Sequence, residues 1–122
     1  MGQLTTSGEN IVNDTGIPGT LYQGLSTTTP AADGTNVTEP VGNNYARQSL
    51  TMGASAGGIR QNTNSSQFVA TGGDWGTCTY SVYYTASTGG VPMGFDDLDA
   101  ARNMVDGATL NFAAGAVDFE QT

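Results

Sequence analysis

The sequence contains no histidine and no lysine, and it has a single cysteine, Cys78, and a single tryptophan, Trp75. Each shortage removes a class of chemistry. Without histidine the chain lacks the usual general base, the commonest metal ligand and the side chain that titrates near neutrality. Without lysine as well, the hydroxyls of Ser7, Ser49 and Ser81 have neither of the bases that would activate a serine nucleophile. One cysteine forms neither an intrachain disulfide nor a cysteine-based metal site. No apolar run approaches the ~20 residues of a membrane-crossing helix. The opening MGQLTTSGEN has neither the basic nor the apolar part of a secretory signal. It formally fits a myristoylation start through Thr6, which is read as chance. The expectation is a non-enzymatic protein with no catalytic residues, no cofactor and no metal.

Positive charge is scarce too. Arg47, Arg60 and Arg102 stand against eleven acidic residues, giving a net charge of −8. Neutralising phosphates requires Lys and Arg in number, so direct nucleic-acid binding is not expected, and anionic lipid surfaces are repelled in the same way. Asp96, Asp97 and Asp99 crowd into Phe95 to Asp99 (FDDLD), but the spacing lacks the twelve-residue calcium loop, so the segment reads as a solvated acidic turn. A glycosidase pair would need a clustered acidic and aromatic cleft, which the sequence does not present. Sequons at Asn13, Asn36 and Asn64 are expected by chance in a chain this rich in Asn, Ser and Thr. The Gly-Gly pairs at 57–58, 72–73 and 89–90 match no phosphate-binding fingerprint and read as turns.

What the chain does have is glycine, eighteen residues of it, together with abundant Thr, Ser and Asn. This mixture favours short strands joined by tight turns and disfavours long helices. Residues 1–18 read as an N-terminal arm or short helix, and 19–122 as the folded domain. Thr20 to Ser26 is the first predicted strand, with Gly24 as a bulge. Residues 27–44, marked by Pro30, Pro40, Asp33-Gly34 and Gly42-Asn43, form a long interaction loop in which Val37 makes a brief extended contact. Tyr45 to Gly53 alternates as a strand with Leu50 and Met52 inward. Short strands follow at Ile59 to Asn62 and Gln67 to Ala70. The clearest strand is Trp75 to Tyr84, with Cys78, Tyr80, Val82 and Tyr84 on one face. Val91 to Leu98 is predicted at a sheet edge because Pro92 cannot donate to a ladder. Thr109 to Phe112 and Ala116 to Glu120 complete the set. Six to eight short strands predict an all-β fold, a single small antiparallel β-sandwich or barrel-like domain.

Five stretches in order, LTTSGENIVND, TLYQGLSTTTPAADGTNVTEP, GNNYARQSLTM, TGGDWGTCTYSVYYTASTGG and DGATLNFAAGAVDF, resemble a family of small tailed-phage virion proteins. Its members are tail-fibre-like, minor structural or capsid decoration proteins. The most specific pieces are Tyr45-Ala46-Arg47-Gln48 and Trp75-Gly76-Thr77. The resemblance implies a structural role in the virion, assembled in the host bacterial cytoplasm, and carries over no catalytic residue. Its implied partners are the major capsid protein or other virion proteins, with a homo-oligomer expected and no membrane involved.

Within the virion, the short acidic chain without repeats reads first as a capsid decoration or cement protein. A tail component, fibre-associated or a baseplate adhesion module, is the alternative, and a carbohydrate-binding lectin-like domain using Trp75 or an exposed tyrosine a third. The interface residues expected are Thr28, Pro30, Val37 and Pro40 on the long loop, with Tyr45, Arg47 and Trp75. Arg47 is placed to pair with a carboxylate, either on a neighbouring subunit or within the chain.

Overall fold

β-branched and aromatic residues at alternate positions set the strands of this chain. The computed structural model describes residues 3–4, 19–53, 59–115 and 117–120. Among them are nine strands and no helix: β1 Gln3–Leu4, β2 Thr20–Ser26, β3 Gln48–Thr51, β4 Ile59–Gln61, β5 Ser66–Val69, β6 Gly76–Tyr84, β7 Pro92–Met104, β8 Thr109–Phe112 and β9 Asp118–Glu120. β1, β7, β6, β2 and β3 form one antiparallel sheet in that order, while β4–β9 and β5–β8 form two-stranded antiparallel ribbons. The all-β antiparallel reading therefore holds. The remaining parts of the N-terminal segment 1–18 and the Gly-rich stretch 54–58 lie outside the described residues.

The ribbons supply the second layer. Leu21, Leu50, Met52, Tyr83 and Met93 of the large sheet pack with Val117, which precedes β9. Alongside, Leu25, Cys78 and Met104 pack with Phe68 of β5, Leu110 of β8 and Trp75. A polar pair lies in the same interior, the buried Ser66 hydroxyl donating to Gln23 Oε1 at 2.6 Å. Asn62 ties ribbon to sheet. Its side chain donates to the carbonyls of Asn64 and Ala113 and accepts from Val117 N–H, and its backbone bridges to Met52. The opposite face of the large sheet carries Val82, Tyr84 and Phe95, with Tyr22, Tyr80 and Val37 packed against them.

Several expectations need correction. Gly24 is no bulge, for it pairs in register with Val82. The strand expected from Tyr45 begins only at Gln48. Pro92 opens a thirteen-residue strand rather than lying on an edge strand, because β1 pairs along its outer side at Phe95 and Gly94; at the first position of a strand, the missing N–H costs little. The acidic run 96–99 belongs to β7 and is not a turn. The face expected to unite Cys78 with Val82 and Tyr84 is divided, since the β6–β7 register shifts between Cys78 and Tyr80.

The β3 edge of the sheet is met by a side chain. Asn64 accepts from Thr51 N–H at 2.8 Å and donates to Ser49 C=O at 3.0 Å, while Thr63 N–H donates to Thr51 C=O. These are the groups through which β3 would otherwise bind another strand.

Candidate functional site

The loop 27–44 is folded against its own chain. Thr27 N–H donates to Thr38 C=O, and the Ser26 hydroxyl accepts from Thr28 N–H and Thr38 N–H. Thr28 Oγ1 donates to Asn36 C=O at 2.6 Å, with the Thr38 hydroxyl 3.1 Å away. At the tip, Asp33 Oδ1 accepts from Thr35 N–H and Oγ1, and these hydrogen bonds hold its carboxyl below the usual range. Pro30 and Pro40 are buried, and Val37 is half-buried against the Val82, Tyr84 and Phe95 cluster.

The loop returns to the sheet through Glu39. Arg47 grips its carboxylate from the side, with Nη2 2.7 Å from Oε1 and Nε 3.1 Å from Oε2. The same guanidinium donates through Nη1 to the carbonyls of Ala86 and Gly89, and its Cζ stands 3.4 Å over the Tyr84 ring centroid. Planar delocalised charge suits both contacts at once. The Tyr45 hydroxyl donates to Glu39 Oε2 and accepts from Leu25 N–H at 3.0 Å. That explains why the β3 ladder stops at Gln48: a side-chain oxygen takes the backbone donor of β2 that the next strand residue would have met. Gly24 makes room for the arrangement. A Cβ there would lie 2.8 Å from both Glu39 Oε2 and Tyr45 Oη.

Electrostatics follow from this packing. Burial pushes the Glu39 carboxyl up, but the hydrogen bonds from Arg47 and Tyr45 outweigh it and leave the group below its ordinary value. Burial, then its bond to Glu39, drives the Tyr45 phenol well above the usual tyrosine range. Burial and the nearby Glu39 charge push Tyr84 up to about 12. Cys78 is pushed up to about 11 by burial, so its thiol is protonated and unreactive near neutrality.

Trp75 sits behind this knot. Its indole N–H donates to Asn43 C=O at 2.9 Å and its ring stands edge-on to Tyr45, with centroids 5.2 Å apart. It is only 7% exposed. The structure thus brings Tyr45, Arg47, Trp75 and Pro40 into one region, while Thr28, Pro30 and Val37 lie along the loop leading to it. Sequence reasoning missed Glu39, which no regular spacing links to Arg47. It also missed Val41, between Pro40 and Gly42, a residue 91% exposed. Val41 rims a shallow concavity shared with Ala46 and the turn Ser87–Gly89.

A family model described as podophage GP4 fiber I protein gp80 matches residues 10–120. The chain belongs to this family. A gp80-type fibre protein is a structural component of a tailed-phage virion, in line with the resemblance seen in the sequence. No curated protein matches the chain. In this gp80 family member the exposed concavity lies beside the Glu39–Arg47 knot.

Proposed function

We propose that this gp80-family chain is a compact module of the phage fibre, working through protein–protein contacts and not as a cement on the capsid shell. The family match over residues 10–120 carries the reading. The absence of sequence repeats, which pointed towards the shell, is equally compatible with a globular module at one station of a fibre. The surface offered for contact is the concavity rimmed by Val41, Ala46 and Ser87–Gly89, since an almost fully exposed apolar side chain next to a rigid polar framework suits an interface. Its proposed partner is another virion protein or a further copy of this chain.

Copy number and position test the reading together. Quantitative mass spectrometry of purified particles should give copies in proportion to the fibres, and gold-labelled antibody should mark fibres in electron micrographs. Hundreds of copies per particle, with label spread over the shell, would establish the cement role instead.

A further inference from the structure

Val41 stands where the backbone is held on both sides. Ahead of it, Glu39 is clamped by Arg47 and Tyr45, and Pro40 is buried. Behind it, Gly42, Asn43 and Asn44 have φ values of 74°, 53° and 72°. Left-handed backbone is costly for a residue with a side chain, and two such residues in succession persist only where their surroundings hold them. The surroundings do so here. Tyr45 N–H closes the turn on Gly42 C=O at 2.9 Å, Asn43 C=O accepts from Trp75 Nε1 and Thr71 N–H, and Asn44 Nδ2 donates to Val69 C=O at 3.1 Å. Asn43 Nδ2 donates to Asp74 C=O, and Gly73 lies so close that a Cβ there would stand 2.6 Å from that nitrogen. Yet the residue held between these anchors is itself 91% exposed. An apolar residue fixed in this way has little freedom left to lose on meeting a partner.

The same patch carries the complement of that projection. Beside Val41 lies the concavity, about 510 Å³, with exposed Ala46, Ser87, Thr88 and Gly89 in its lining. These are small residues, and the space exceeds the volume of a valine side chain several times over. A projection and a recess on one patch are what a two-fold axis requires, since the surface must then fit itself. Val41 of one copy enters the recess of its partner, and the partner's Val41 returns the contact.

Charge agrees with that fit. The charged residues in the lining are Glu39 and Arg47, and they neutralise each other at 2.7 Å. A strongly basic partner finds no unpaired carboxylate in this lining. In a chain of net charge −8, a neutral patch is where like-charged copies meet with least repulsion. We infer that the Val41 patch is a self-complementary interface through which two copies of this chain pair about a two-fold axis. The inference rests on the contact surface proposed for the fibre module and names its occupant.

Sedimentation equilibrium of the 122-residue chain between about 1 μM and 1 mM should show monomer and dimer with no larger species. Added salt should strengthen the pairing, because it screens repulsion between copies; attraction to an oppositely charged partner would weaken instead. Val41→Asp should weaken the dimer about a hundredfold or more, since it drives two carboxylates into the contact. Val105→Asp, at an exposed valine outside the concavity, should leave it unchanged. Mixed Val41→Cys and Thr88→Cys chains should form a disulfide-linked pair faster than either variant alone, with buried Cys78 taking no part. The inference is overturned if the chain stays monomeric across this range, if it grows into open chains, if salt weakens the pairing, if Val41→Asp pairs like the parent, or if the mixed variants cross-link no faster. Particle incorporation of Val41→Asp then reads the contact surface separately. Reduced incorporation keeps that surface with a different virion protein as its occupant, and unchanged incorporation removes both.

Discussion

Glu39 is the residue at which the loop 27–44, the strand entry at Tyr45–Arg47 and the end of β6 meet. Its folded-state carboxyl lies below the ordinary 4.5, so ionised Glu39 stabilises the fold. That contribution is complete above the unfolded value and is lost as pH falls through the folded one. Denaturant midpoints measured between about pH 3 and 7 should therefore decline on the acid side, and Glu39→Gln should remove part of the decline. The tyrosines act at the other end. Tyr84, pushed up to about 12, contributes stability that is present below the ordinary value of 10 and lost as pH rises through the folded one. Replacing Arg47 by Ala leaves Glu39 without its cation. With Glu39 22% exposed, the expected cost is about 2–3 kcal/mol, less than for a wholly buried pair. Arg47→Lys keeps the charge but loses the side-on geometry and the stacking on Tyr84, at about 1–2 kcal/mol by thermal denaturation. Gly24→Ala should cost at least as much, because its methyl group would meet two oxygens that cannot both retreat.

At the scale of elements, the loop is structural as well as exposed. Removing residues 28–43 would delete Val37, which packs on one face of the sheet, and Glu39, which anchors Arg47. Such a variant should lose its cooperative thermal transition. Asn62→Ala should also be costly, about 2–3 kcal/mol, since it strands the buried Val117 N–H and two carbonyls between ribbon and sheet. The strands themselves were legible. Thr20 to Ser26 and Thr109 to Phe112 were predicted with their observed bounds, and Gly76–Tyr84 within one residue, because alternation and turn residues are local signals. The register slip opposite Tyr80 was not legible, for it depends on how two strands meet and not on either sequence. Nor was the late start of β3, which a tyrosine hydroxyl imposes from outside the ladder. Glu39 and Arg47 meet only because the loop between β2 and β3 folds back.

For the whole molecule, the all-β architecture followed from composition and periodicity, and the virion role from ordered resemblance. The station on the particle did not follow, because absence of repeats describes one module and says nothing of the assembly that holds it. Val41 gives a means of examining that assembly. A Val41→Asp variant should match the parent within about 0.5 kcal/mol in stability, yet its incorporation into particles, quantified by mass spectrometry, should fall. The edge closed by Asn64 has a consequence for how copies add up. Strand β3 has its outward groups at Thr51 and the Ser49 carbonyl occupied from within the chain, so a neighbouring copy that meets this edge is left to do so through side chains. Along that edge, local crowding on a particle does not turn β3 into a template for aggregation.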